Sequence, residues 1–139
     1  MRRPVLLYLV MLIAYLVIDS VWLTFTSNAL YRATLNDILL PGFHLAPAIA
    51  VYFLQVLGLV VFVMPRAIAS GRGITALFYG AAFGLFTYGL YDLTNDATLR
   101  HWTLPLTLID MSWGAVVSGL VSLIGLIFAR RFGRQRIFS

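Results

Sequence analysis

Cysteine, lysine and glutamate are all missing from this chain of 139 residues. Without cysteine there are no disulfides, thiol nucleophiles or thiolate metal ligands. Without lysine and glutamate, every fixed positive charge is an arginine and every acid an aspartate. Charge of either sign is scarce: 11% of residues are charged against 61% hydrophobic, far from the balance of a soluble domain. No polar stretch is long enough to fold in water by itself, so residues 1–139 read as a single membrane domain. Also missing are a serine-nucleophile elbow, a metalloprotease helix motif, a phosphate-cradling glycine loop and a dinucleotide fingerprint. No arginine run at three-residue spacing enters a span, which argues against voltage sensing.

Four long apolar runs fill most of the chain. They predict an all-α, four-span membrane bundle with spans at about 4–26, 45–64, 74–93 and 104–128. Each is long enough to cross ~30 Å of hydrocarbon at ~1.5 Å per residue. Arg2 and Arg3 ahead of the first run resemble a signal-peptide start. The run is longer than a signal sequence needs and no small-residue cleavage site follows, so it is expected to be retained. Between the first two spans, Tyr31, Leu35 and Ile38 recur at helical spacing opposite Arg32, Asn36 and Asp37. That pattern predicts a short interfacial helix ended by Pro41-Gly42.

The formal net charge is +5, but its placement speaks of topology. Arg2 and Arg3 start the chain, Arg66 and Arg72 lie in the second link, and Arg130, Arg131, Arg134 and Arg136 crowd the tail. The other links carry one arginine each. The positive-inside rule then places both termini in the cytoplasm. Arginines flanking spans suit anionic lipid headgroups, and no basic patch interleaved with stacking aromatics suggests nucleic acid. Membrane lipids are the expected partners.

Small residues predict close helix packing. Gly80 and Gly84 form a small-xxx-small motif in span three, and Gly114, Ser118 and Ser122 repeat every four residues in span four. Such faces fit contact within the chain or a homo-oligomer. Gln55, in mid-span, is expected to bond to a neighbouring helix.

The polar residues that a bilayer penalises are more telling. Tyr15, Asp19, Trp22 and Thr26 share a face of span one, and Tyr88, Asp92 and Asn95 share a face of span three. Asp110 leads a stripe in span four, with Trp113 nearby. Because the spans alternate in direction, Asp19, Asp92 and Asp110 fall at similar depth, toward the outer side. Acids in a spanning helix mark a functional site by default and should face the bundle interior. Clustered carboxyls cannot all ionise cheaply, which suits proton binding. Oxygen ligands with an Asn carbonyl suit a hard cation, and aromatic walls suit an ammonium group. The bland alternative makes the acids interfacial or turn residues, with Asp19 bridged to Arg100 or His101. His44 and His101 read as loop residues and give no metal-site spacing.

The segments Asp19-Ser20-Val21-Trp22-Leu23, Tyr91-Asp92-Leu93-Thr94-Asn95 and Asp110-Met111-Ser112-Trp113-Gly114 carry a resemblance. With the chain's length and four-span layout, they resemble a family of small bacterial inner-membrane proteins known as a domain of unknown function. The resemblance implies a bacterial inner membrane and a four-helix fold, and it brings no catalytic residues or cofactor. The favoured function is binding or translocation of a proton, cation or small polar solute at Asp19, Asp92, Asn95, Asp110, Trp22, Tyr88 and Trp113. The rivals are a membrane enzyme or accessory factor acting on lipid headgroups, and a structural or stress-response component without a ligand. The inner halves of the spans offer little beyond Gln55 and small Ser and Gly faces, which counts against a simple pore.

Overall fold

The computed structural model describes residues 2–36, 38–42 and 44–132. Asp37, Arg134 and Arg136, to which the sequence assigns roles in the interfacial helix and in topology, lie outside the described residues. Among the described residues, four helices are long and apolar enough to span a membrane: α1 (Arg3–Leu35), α2 (Leu45–Ser70), α3 (Gly73–Thr98) and α4 (Leu104–Arg131). They alternate in direction. One end of the bundle gathers Arg3, Arg66, Arg72, Arg130 and Arg131, and the other end holds the three acids. These are called here the arginine end and the acidic end.

The helices extend past the apolar runs that announce them. Helix α1 continues beyond Thr26 through a π-helical stretch, Ser27–Arg32, into a last α-helical turn, Ala33–Leu35. The segment expected as a short interfacial helix is thus joined to the first span. No proline or glycine lies between Thr26 and Leu35 to stop it. Ser20, Thr24 and Thr26 each donate a side-chain hydroxyl back to the carbonyl four residues earlier, at 2.6 to 2.7 Å. Such bonds compete for the carbonyls of the ladder and bend helices. The wider stretch that follows alters the register and sets Leu35 into a small cluster with Trp102 and Leu106.

Helix α2 has a second π-helical stretch, Leu59–Val63. Its cause is Pro65, which follows at once in the next α-helical turn. Proline has no N–H to give, and its ring collides with the carbonyl four residues back. Widening the helix relieves that collision. Gly71 then ends α2 in the left-handed conformation, with φ 61°. Only Arg72 separates it from α3. At the other turn Thr103 caps α4 by accepting from the Leu106 N–H at 3.4 Å, with Pro105 in the first turn.

Helices α3 and α4 make the most extensive contact in the bundle. Its basis is the absence of side chains. A Cβ built on Gly84 would collide with the Gly114 carbonyl and come within 2.5 Å of Ser118 Oγ, and one on Gly80 would come within 2.6 Å of the Ser118 carbonyl. The two small-residue faces therefore serve each other within the chain. Without a hydrophobic drive between helices in lipid, backbone approach of this kind supplies the packing.

The core lies toward the arginine end. Leu7, Met11, Val56, Leu59, Met64, Val117, Val121 and Leu126 are buried there, drawn from α1, α2 and α4. Large apolar residues such as Val17, Phe62, Phe86 and Leu90 face outward, as lipid contact requires.

Candidate functional site

At the acidic end the bundle is polar inside. Asp19, Asp92 and Asp110 are all buried, Asp92 completely. Asp19, on α1, accepts hydrogen bonds at 2.6 Å from the Tyr52 hydroxyl of α2 and at 2.8 Å from Trp113 Nε1 of α4. Both donors are neutral, so Asp19 is held by a tyrosine and a tryptophan. Asp110, on α4, accepts from the Tyr31 hydroxyl. Tyr31 in turn accepts from Trp22 Nε1 at 3.2 Å. Its reach depends on the π-helical stretch that carries it.

Trp22 and Trp113 stack with ring centroids 4.4 Å apart and planes 5° from parallel. The two Asp-x-x-Trp segments of the sequence thus meet in space. Trp113 donates to the aspartate of the other segment, and Trp22 reaches the other segment's aspartate through Tyr31.

Below this layer the Tyr15 and Tyr88 hydroxyls share a hydrogen bond of 2.7 Å. Tyr15 also meets Tyr52 edge to face, with centroids 5.9 Å apart. Deeper still, Gln55 donates to Thr87 Oγ1 at 2.9 Å and Ser118 Oγ at 3.2 Å. Gln55 so ties α2 to both α3 and α4. These groups surround a cavity of about 420 Å³, lined by Asp19 and Asp110, by Tyr15, Tyr52, Tyr88 and Tyr91, and by Gln55, Thr87, Ala48 and Val51. Among the described residues, no arginine or histidine lines it.

Asp92 stands behind the cavity wall. Neither of its carboxyl oxygens has a hydrogen-bond donor. The group it interacts with is the Asp110 carboxyl. Asn95 lies off the cavity, one turn beyond Tyr91, with whose hydroxyl its side chain interacts. Among the described residues no three His, Cys, Asp or Glu side chains gather closely enough to hold a metal ion.

Of the residues singled out from sequence, Asp19, Trp22, Tyr88, Asp110 and Trp113 converge, with Asp92 at the back and Asn95 aside. Four tyrosines escape the sequence reading: Tyr52 altogether, Tyr91 except within a segment of the resemblance, Tyr31 except as an interfacial residue and Tyr15 except as a face-mate of Asp19. A signal was available for Tyr52, which lies one helical turn before Gln55 and on the same face. A hydroxyl and an amide three residues apart in an apolar span mark an inward face.

A family model described as "Predicted membrane protein (DUF2177)" matches residues 4–127. No curated protein and no solved structure matches.

Proposed function

The chain belongs to the DUF2177 family of predicted membrane proteins, and on that premise we propose that it binds a small organic cation within its four-helix bundle. One observation carries this reading: among the described residues, the cavity wall bears two carboxyls and four tyrosines and no basic side chain. Carboxyls attract positive charge, and phenol rings give an ammonium group a negative π-face. A volume of about 420 Å³ lies within the range of small-molecule pockets. The reading is of a binding site closed toward the arginine end, because the buried core from Leu7 to Leu126 fills that half. The arginine count at the two ends supports an orientation with the acidic end on the outer face of a bacterial inner membrane and the termini in the cytoplasm. Solute would then arrive from outside the cell.

The test is a titration of purified protein in detergent with tetraethylammonium, choline and sodium. Trp22 and Trp113 form the stacked pair beside Asp19, so intrinsic fluorescence reports occupancy. A saturable response to the organic cations is expected, weakened at least tenfold in Asp19→Asn. Absence of a saturable response to any of the cations overturns the proposal.

A further inference from the structure

Asp92 is the most unusual side chain in the bundle. It is completely buried, both of its oxygens lack a donor, and it faces another acid. A buried polar group without a partner is costly, and a buried bare charge far more so. Asp19 and Asp110 have tyrosine or tryptophan donors, while Asp92 has none. A proton between the two carboxyls resolves this: one acid becomes an O–H donor and the other its acceptor, as in carboxyl dyads generally.

We propose that Asp92 and Asp110 hold one proton between them, and that a cation entering the cavity expels it. Asp110 belongs both to the dyad and to the cavity wall. A cation at Asp110 and a proton on the dyad therefore compete for the same negative charge. One positive charge enters and one leaves as a proton to water, so the charge of the bundle interior stays constant. The other titratable groups facing the pair are Tyr31, Asp19 and Tyr15 of α1 and Tyr88 and Tyr91 of α3, with Tyr52 of α2 on Asp19. Tyr31 and Tyr52 hold their protons as donors to Asp110 and Asp19, and Asp19 is already met by two donors, so the proton is assigned to the dyad. The expulsion rests on the cation reading above, whereas the shared proton does not.

Infrared spectroscopy separates the two. The chain has no glutamate, so a protonated side-chain carboxyl must be an aspartate. The wild type should show a buried carboxylic C=O stretch that Asp92→Asn and Asp110→Asn each remove. Asp96→Asn, a half-buried residue near the end of α3 and outside the pair, should leave it in place. If the Asn variants fail to fold, wild-type protein carrying carboxyl-labelled aspartate keeps the question decidable, because the band must shift with the isotope. Absence of that band overturns the shared proton. With the band present, tetraethylammonium is titrated in weak buffer with a pH dye. One proton should appear per cation bound, and apparent affinity should rise roughly tenfold per unit increase in pH. Both effects should vanish in Asp92→Asn. Binding without proton release overturns the expulsion. Failure to bind, with the band intact, removes the cation reading and the expulsion and leaves the dyad standing.

Discussion

Trp113 and Asp19 come from opposite ends of the sequence and meet through a 2.8 Å hydrogen bond, while the Trp113 ring stacks on Trp22. Helices α1 and α4 are thereby cross-braced at the layer of the acids. The brace uses the ring faces for packing, one indole N–H to orient Asp19 directly and the other to orient Asp110 through Tyr31.

Replacing Trp113 by Phe tests the brace. The stack is partly kept, but Asp19 loses one of two donors in a buried setting. Loss of such a partner costs about 1–3 kcal/mol. Unfolding in mixed detergent should show a destabilisation of that order. Trp22→Phe should cost less, since its N–H bonds to Tyr31 at 3.2 Å and not directly to a carboxyl.

The α3–α4 seam makes a stronger demand. Gly84→Leu drives a side chain into the Gly114 backbone, which cannot yield. Overpacking costs about 1–3 kcal/mol in ordinary cores, and this site should reach or exceed the top of that range. Gly42 has open space where a Cβ would sit, so Gly42→Ala should leave the melting temperature unchanged. Equal melting of the two variants would show that the seam carries no weight.

Gln55 ties three helices through one amide. Gln55→Leu removes both bonds and keeps bulk. Interhelical hydrogen bonds in membranes average ~0.6 kcal/mol, so a modest loss of about 1 kcal/mol is expected. Thr87 also donates to the Phe83 carbonyl of its own helix. It therefore keeps a partner when Gln55 is gone, which limits the loss.

Topology can be read by single-cysteine labelling, with no native thiol to interfere. Cysteines at Asn28 and Arg100 should react with an impermeant reagent in intact cells. One at Arg72, in the turn at the arginine end, should react only after permeabilisation. The reverse pattern would put the acidic end in the cytoplasm.

The sequence made the spans legible because lipid imposes one demand on every residue that faces it. It made the acids legible for the complementary reason. The extension of α1 to Leu35 was hidden, since an apolar run ends where lipid ends and a helix ends only where its hydrogen bonds fail. Tyr31 and Tyr52 were hidden too. Tyrosine is at home at an interface, in a core or in a site, and hydropathy does not separate these. Asp92 was recognised as costly, but its complete burial and its lack of donors depend on the α3–α4 approach, which no periodicity reports. The small residues of that approach were visible, and their partners were not.

The seam between α3 and α4 also divides the bundle mechanically. Backbone packed on backbone at Gly84 and Gly114 leaves no slack, so these two helices form a stiff wall. Facing it, α2 has a widened, proline-interrupted turn at Leu59–Val63, and beyond that turn Ile49, Val51, Phe53 and Leu54 lie exposed. Within α2 the helical ladder is interrupted at this one level. The acidic half of α2 is a lever with its fulcrum just above Pro65, and it carries Tyr52 and Gln55 with it. Swinging it outward would break the Tyr52–Asp19 bond and both Gln55 bonds, so opening the cavity on that side would cost all three at once.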